Sequence, residues 1–216
     1  MQGIFGIYKP VGPTSFGIVA ELRKITGVKR IGHAGTLDPL AKGIIVVAIG
    51  AEYTKKIHEA VAAEKEYVAE IKLGETSATD DGEGEKTPVS DRKPEIAEIR
   101  ETVSKFVGKI DQIPPIYSAI KISGKRAYDL ARKGKYPIMS PRKVEIKNIE
   151  ILDYSYPLLK LNVTTAKGVY IRSLARDIGS ALGTGAYMSG LERTRVGEFT
   201  KANSLTLEEF ASKFKY

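Results

Sequence analysis

The sequence feature that most constrains the fold is an uninterrupted apolar run, IIVVAI, at residues 44–49, which Gly43 and Gly50 flank. The run has the length of one β-strand and is rich in β-branched residues. It lacks the alternation of apolar and polar residues that is typical of a strand with one solvent-exposed face. We therefore expect a central strand that is covered on both faces. The run is also far too short to span a bilayer, so no membrane partner is expected.

The flanking sequence alternates between strand and helix patterns. Residues 3–9 and 65–73 predict strands, and a helix with an apolar face should begin at Thr14 or Ser15 and end at Gly27. Residues 28–43 are rich in glycine and show no sustained period, which predicts a loop. Further strands are expected at residues 143–153, 158–166 and 194–199, and further helices at residues 52–61, 94–107, 127–132, 170–182 and 206–214. Since no repeat or linker is visible, the prediction is one mixed α/β (α+β) domain over residues 1–216.

Composition removes several classes of function. The chain has no cysteine, which excludes disulfides and thiolate catalysis and is typical of a reducing cytoplasm. The two histidines, His33 and His58, lack the spacing of metal ligands, so no metal site is expected. The acidic stretch at residues 76–85 does not fit a calcium loop and predicts a surface hairpin loop without a ligand. No Gly-x-x-x-x-Gly-Lys-Ser/Thr string supports a phosphate-binding NTPase.

The net charge of +8 favours a polyanionic partner. Nearly the whole excess lies in residues 121–147, where nine Lys or Arg side chains stand against two acidic ones, a net charge of +7. Tyr117, Tyr128 and Tyr136 accompany this charge, and phosphate contacts mixed with stacking faces are typical of single-stranded RNA binding. A solvated basic surface is the alternative interpretation.

Asp38 is the candidate catalytic carboxylate. It lies in a glycine-rich loop that can bring its backbone close to a ligand, and Pro39 stiffens the end of that loop. Most aspartates in such loops only cap turns, so residue types alone leave both roles open.

Five motifs together identify a family. The loop GHAGTLDPLAKG at 32–43 resembles the signature of the TruB-type tRNA pseudouridine synthases, whose catalytic aspartate corresponds to Asp38. Four further motifs agree in order along the chain: KPVGPTS at 9–15, KEYVAEIKLG at 65–74, IPPIYSAIKISGKRAYDLARKG at 113–134 and KGVYIRSLARDIGSALGTGA at 167–186. The resemblance covers nearly the whole chain and is greater to the bacterial branch than to the guide-RNA-dependent branch. It implies the pseudouridine synthase fold, a largely antiparallel central sheet flanked by helices and loops.

The resemblance also implies an activity, the isomerisation of uridine at position 55 in the T loop of tRNA. The reaction breaks the bond between N1 and the sugar and rejoins the uracil through C5, so no cofactor and no guide RNA are expected. Free aspartate side chains are ionised at neutral pH, and Asp38 could act as a nucleophile without an activating base. Attack at C6, attack at C1′ and formation of a glycal all remain open.

The same resemblance assigns roles to other residues. Arg172 would pair with Asp38, and Tyr67 would stack on the uracil and assist loss of the C5 proton. His33 would contact the target loop beside the flipped base. Lys9 would support the catalytic loop or bind substrate, and Leu191 would line the uracil pocket.

Residues 115–143 match a family insertion that closes over RNA like a thumb, and we call them the thumb segment. Its Lys125, Arg126 and Arg132 are the candidate RNA-binding cations. Relatives usually continue beyond the position of Phe210 into a small C-terminal RNA-binding domain, which this sequence is expected to lack. A cytoplasmic monomer is expected.

The main alternative is a non-catalytic tRNA-binding or tRNA-folding protein on the same scaffold. It predicts the loss of Asp38, Tyr67 or Arg172, and all three residues are present.

Overall fold

The computed structural model describes residues 2–61, 64–122 and 124–214. The chain divides into two compact units, which are described separately. Unit 1 comprises Met1–Val68 and Leu191–Tyr216, and unit 2 comprises Ala69–Gly190. The expectation of a single domain over the whole chain stays a prediction. Within the described ranges, no helix has the length and apolar character needed to cross a membrane.

Strands and helices alternate along the described residues. The strands are β1 (Gly3–Lys9), β2 (Ile31–Ala34), β3 (Ala41–Ile49), β4 (Lys65–Leu73), β5 (Glu75–Ser77), β6 (Lys86–Pro88), β7 (Gly108–Gln112), β8 (Lys121–Ile122), β9 (Lys125–Arg126), β10 (Arg142–Ser155), β11 (Leu158–Thr165), β12 (Ala186–Val196) and β13 (Phe199–Thr200). The helices are α1 (Ser15–Thr26), α2 (Ala51–Ala60), α3 (Ile96–Ser104), α4 (Ala127–Ala131), α5 (Ile171–Ala181) and α6 (Leu207–Phe214), with a 3₁₀ turn at Lys201–Asn203.

Strand β3 is the centre of unit 1. It pairs antiparallel with β1, from Gly3 opposite Ile49 to Lys9 opposite Gly43. Strand β2 also pairs with it antiparallel, whereas β12 pairs with its first residues in parallel register. Every side chain from position 44 to position 49 is 0% exposed, which confirms the predicted central strand.

Helix α1 follows its sequence signals closely. The Thr14 side chain caps its first turn by accepting from the Gly17 amide at 2.9 Å. Gly27 ends it with a φ of 68°, a left-handed conformation that glycine adopts without strain. The buried face of the helix, which includes Leu22, packs with β1 and β3 and with Phe210 of α6. This core holds the chain segments on both sides of the 35–40 loop.

In unit 2, β11 lies between β4 and β10, and β7 follows at the edge; β10 pairs antiparallel with both β11 and β7. Helix α5 buries most of its residues, and Leu174 and Ile178 are 0% exposed. Strands β5 and β6 form a separate hairpin. The expectation of a mixed α/β fold with a largely antiparallel sheet is confirmed.

Several predicted boundaries are wrong for identifiable reasons. The 28–43 stretch is not entirely loop, because Ile31–Ala34 adds as a strand to β3 and Ala41 already belongs to β3. That pairing depends on a distant strand and has no local signal. Strand β7 was not predicted, and β12 begins at Ala186 rather than at residue 194. Helix α3 is shorter than predicted, covering Ile96–Ser104.

Candidate active site

Asp38 is half-buried in the 35–40 loop of unit 1. Hydrogen bonds to the main chain hold this loop on both sides of Asp38. The Ser15 hydroxyl accepts from the Leu37 amide at 2.8 Å and donates to the Leu37 carbonyl at 2.9 Å. The Pro39 carbonyl accepts from the Gly12 amide at 2.8 Å, and the Asp38 carbonyl accepts from the Ala41 amide at 3.0 Å. These contacts fix the loop backbone next to the carboxylate on both sides.

Lys9 is 0% exposed and points into the turn that precedes α1. Its Nζ donates to the carbonyls of Pro10 at 2.8 Å, Pro13 at 2.9 Å and Pro39 at 3.5 Å. Burial lowers the pKa of Lys9, the nearby Asp38 carboxylate opposes this, and the charge of Arg193 adds to the lowering. Such burial favours the loop-supporting role over direct contact with RNA.

Arg193 of β12 is a second buried cation, with only 2% of its surface exposed. Its Nε donates to the Ile44 carbonyl at 2.7 Å, and its Nη2 donates to the Gly35 carbonyl at 2.7 Å. Burial lowers the pKa of Arg193, and a side-chain hydrogen bond with Tyr67 opposes that shift. Gly35 has a φ of 73°, and a Cβ there would lie 3.3 Å from Nη1 of Arg193. A glycine at position 35 therefore allows both the backbone conformation and the close approach of this guanidinium.

Tyr67 of β4 is 7% exposed, and its side chain interacts with Arg193. His33 of β2 is half-buried, and its Nδ1 has no hydrogen-bond partner among the residues that the structure describes. Burial lowers the pKa of His33, and the charge of Arg193 adds to that effect. Leu191 is half-buried opposite Ala41, directly after the loop. Unit 1 therefore brings these three residues to strands that adjoin the Asp38 loop or Arg193.

Arg172 lies in unit 2, near the start of α5. Its Nη1 pairs with Oδ2 of Asp81 at 3.1 Å, and its Nη2 donates to the Tyr117 carbonyl at 2.8 Å. Asp81 is 2% exposed and also accepts from the Glu83 amide at 3.0 Å. The predicted hairpin loop at residues 76–85 is confirmed by the pairing of β5 with β6, but its surface placement is wrong at Asp81, which is buried against Arg172. Pairing of Arg172 with Asp38 stays a prediction.

A second arginine of α5 reinforces the same region of unit 2. Arg176 donates to Asp80 at 2.8 Å and to the Ile113 carbonyl at 2.8 Å. Burial raises the pKa of Asp80, and the charge of Arg176 opposes this. The Ile113 carbonyl also accepts from the Ser173 hydroxyl at 2.8 Å. Helix α5 thus anchors the chain just before the thumb segment.

The thumb segment presents its cations to solvent. Lys125, Arg126 and Arg132 are all exposed. Arg126 donates to the Tyr128 hydroxyl at 2.9 Å, and the guanidinium carbon atoms of Arg126 and Arg132 lie 5.8 and 5.7 Å from the centre of the Tyr128 ring. Ser123, between β8 and β9, lies outside the described residues.

In the described part of the chain, no group of three or more His, Cys, Asp or Glu side chains is placed to hold a metal ion. The sequence analysis missed three residues that organise the candidate site: Ser15, Asp81 and Arg193. Ser15 is the first residue of α1, Asp81 occurs in a polar loop, and Arg193 lies in a strand of mixed polarity. Their contacts span many residues along the chain, so no local pattern distinguishes them from surface side chains.

Comparisons with known proteins agree along the whole chain. A family model described as TruB family pseudouridylate synthase, N-terminal domain, matches residues 23–171, and one described as tRNA pseudouridylate synthase B C-terminal domain matches residues 172–216. The tRNA pseudouridine synthase B of Protochlamydia amoebophila is 46% identical over 95% of this chain and 78% of its own length. That of Clostridium novyi is 46% identical over 98% of this chain and 73% of its own length.

Two solved structures are also similar. One is a Cbf5-Nop10-Gar1 complex, with a TM-score of 0.77 and 32% identity over 97% of this chain and 54% of that chain. The other is an H/ACA RNP bound to a substrate RNA containing 2′-deoxyuridine, with a TM-score of 0.73 and 29% identity over 97% of this chain and 52% of that chain. This chain therefore spans about half the length of these two solved chains.

Proposed function

Because the chain belongs to the TruB family of pseudouridylate synthases, we propose that it isomerises uridine to pseudouridine in the T loop of tRNA, with Asp38 as the catalytic carboxylate. The observation that carries this proposal is the Asp38 loop, whose backbone is held at Gly35, Leu37 and Pro39 by buried side chains and by the Gly12 amide. A carboxylate on a backbone held in this way is suited to act on a nucleoside in one defined geometry.

The reaction needs neither a redox partner nor a second substrate. The bond between C1′ and N1 breaks, the uracil turns, and a bond between C1′ and C5 forms. C5 then loses its proton and N1 gains one, so the atoms balance within one nucleotide. Asp38 supplies the nucleophile for attack at C6 or C1′, or the base that takes the C2′ proton in the glycal route and returns it afterwards, and each of these roles requires an ionised carboxylate.

The placement of the other site residues supports the roles proposed for them. Tyr67 presents a nearly buried ring and hydroxyl from β4, suited to stack on the uracil and to assist removal of the C5 proton. Arg172, with two of its guanidinium nitrogens held by Asp81 and by the Tyr117 carbonyl, would stabilise and aim the carboxylate of Asp38. His33 is half-buried on β2 and would contact the target loop through the part of its ring that remains exposed, because its Nδ1 is buried.

RNA capture is assigned to the thumb segment. A uridine inside a folded tRNA loop must be extruded before it can react, and that costs unstacking energy. Exposed Lys125, Arg126 and Arg132, with Tyr128 between the two arginines, offer phosphate contacts and a stacking face to compensate. No guide RNA is needed in this proposal.

The test is to incubate a tRNA transcript with the wild-type chain, with Asp38→Asn and with Asp91→Asn, which alters an exposed loop carboxylate. Pseudouridine is then mapped by carbodiimide labelling and reverse transcription. We expect one modified site in the T loop with the wild type and with Asp91→Asn, and none with Asp38→Asn, because an amide cannot supply the anion. Turnover by Asp38→Asn would overturn the assignment.

The same experiment separates the alternative function. A non-catalytic tRNA-binding or tRNA-folding protein would bind the transcript but leave no pseudouridine in any of the three reactions. Modification outside the T loop would retain the activity and refute the proposed substrate position.

A further inference from the structure

We propose that Arg193 is a positioning residue that ties the Asp38 loop to the Tyr67 hydroxyl, so that the two reacting groups keep one fixed separation. This inference rests on the proposed function. The Arg193 guanidinium donates to the Gly35 carbonyl on the loop side, and its strand β12 is the neighbour of β4, which carries Tyr67.

The strand geometry places these two residues side by side. The Thr194 hydroxyl donates to Oε1 of Glu66 at 2.9 Å, and a Cβ built on Gly190 would lie 3.5 Å from the Cβ of Glu70. Residues with higher numbers in β12 thus lie beside residues with lower numbers in β4, so the two strands run antiparallel. The residue before Thr194 is then opposite the residue after Glu66, so Arg193 and Tyr67 lie across from each other on the face opposite the Thr194 contact.

A guanidinium suits this position because it is planar and donates in several directions at once. Its Nε donates to the Ile44 carbonyl and its Nη2 donates to the Gly35 carbonyl, both at 2.7 Å. These bonds fix the plane of the group, and the plane then fixes where a hydroxyl can approach. A lysine ammonium in the same place is a point charge without such a plane, so it could keep the charge but not the alignment.

The burial of this cation argues for a specific role. Removing a charge from water is costly, and a neutral side chain could fill the same volume. Lys9 is a matched case, because it is also fully buried and also holds a carbonyl of the loop, that of Pro39. Lys9 donates only to main-chain carbonyls in the described residues, whereas Arg193 also lies on the strand next to Tyr67. Lys9 therefore supports only the loop, whereas Arg193 both supports the loop and aligns Tyr67.

The test is a double-mutant cycle on the single-turnover rate at saturating tRNA. Arg193→Lys should lower this rate by roughly 10- to 100-fold, because a misplacement of about 1 Å costs that much, and should leave the Kd for tRNA unchanged. In the Tyr67→Phe background the loss should be at least roughly fivefold smaller, since the hydroxyl that Arg193 aligns is absent.

Tyr8→Phe is the matched control background. It removes another tyrosine hydroxyl, which donates to Glu192, the residue next to Arg193 in β12, at 2.9 Å. There, Arg193→Lys should cost the same factor as in the wild type. A loss equal in all three backgrounds would mean that Arg193 only supports the fold, and no loss in the wild-type background would remove it from the mechanism. Either result overturns the proposal.

A second measurement does not require an Arg193 variant to fold. The Nε proton of Arg193 is buried in a hydrogen bond to Ile44, so its NMR resonance should be observable in the free protein. Tyr67→Phe should shift this resonance and Tyr8→Phe should leave it in place; an unmoved resonance in Tyr67→Phe overturns the proposal. If the wild type forms no pseudouridine, the proposed function itself fails. If the wild type is active but Arg193→Lys lowers the rate by the same factor with and without the Tyr67 hydroxyl, only this inference is refuted.

Discussion

The Asp38 loop and the thumb segment use cationic side chains in opposite ways. Around the loop, Lys9 and Arg193 are buried and donate to backbone carbonyls, with no more than 2% of either exposed. In the thumb segment, Lys125, Arg126 and Arg132 are exposed, and the two arginines lie against the ring of Tyr128. The first arrangement fixes geometry, and the second leaves the charge accessible to a polyanion.

This difference matches two physical demands on an RNA-modifying enzyme. Chemistry gains from groups that are already in place, because alignment then costs nothing during the reaction. Capture of RNA gains from exposed charge, since each neutralised phosphate releases counterions and the contacts need no single geometry. Changes in the loop should therefore act on rate, and changes in the thumb segment on affinity and its salt dependence.

The largest effect after loss of Asp38 is expected for Tyr67→Phe. It keeps the ring for stacking but removes the hydroxyl, so the single-turnover rate should fall by roughly 10² to 10⁴-fold. The Kd for tRNA, measured by filter binding, should stay within about twofold of the wild type, because stacking is retained. Equal rates for the two proteins would exclude the hydroxyl from the mechanism.

A smaller effect on rate is expected for Ser15→Ala, which removes both hydrogen bonds to Leu37. The buried amide and carbonyl are then unsatisfied, and the free energy of unfolding should fall by about 1–3 kcal/mol in urea titrations. Loosening of the loop should lower the rate by up to about 10²-fold with little change in tRNA affinity. Ser104→Ala, which removes an exposed hydroxyl bonded to the Glu101 carbonyl, is the control and should change stability by under about 0.5 kcal/mol. If both variants behave alike, the loop does not depend on Ser15.

The thumb segment is tested by replacing Lys125, Arg126, Arg132 and Lys133 together by glutamine. If all four contact phosphates, the slope of log affinity against log salt should flatten by about 3, since each contact contributes roughly 0.7–0.9. Affinity should fall most at low salt, while the rate at saturating tRNA should change less.

The matched control replaces four exposed lysines elsewhere by glutamine, which gives the same change in net charge: Lys24, Lys55, Lys56 and Lys105. It should leave the salt slope near that of the wild type. Identical slopes for the two quadruple variants would show that only net charge matters, and the solvated-surface interpretation would then be correct.

The smallest effect concerns the pH dependence of stability. Burial and the charge of Arg193 place the pKa of His33 below the 6.5 of an unperturbed histidine. The unfolded chain therefore takes up a proton before the folded one, and stability is lost as pH falls below about 6.5. In urea titrations from pH 7.5 to 5, His33→Gln should lose less stability than the wild type. His58→Gln, at an exposed position on α2, should follow the wild type, and a His33→Gln curve that also does so would refute the effect.

The sequence by itself determined those parts of the molecule whose signals are local. The apolar run at residues 44–49 predicted the buried strand β3, and Thr14 and Gly27 predicted both ends of α1. The motif around Asp38 indicated the family, which the relatives and family models then showed. Each of these depends on residues adjacent in sequence or within one turn of a helix.

Only the tertiary structure decided how the candidate site is supported. The contact of Ser15 with Leu37 spans 22 residues, and that of Arg193 with Gly35 spans 158. Asp81 was expected on a surface loop and is buried against Arg172, 91 residues away. A charged or hydroxyl side chain looks the same in the sequence whether it is solvated or buried. Its burial is settled by which distant carbonyl, amide or counter-charge the fold brings within hydrogen-bond distance, because only such partners offset the cost of removing it from water.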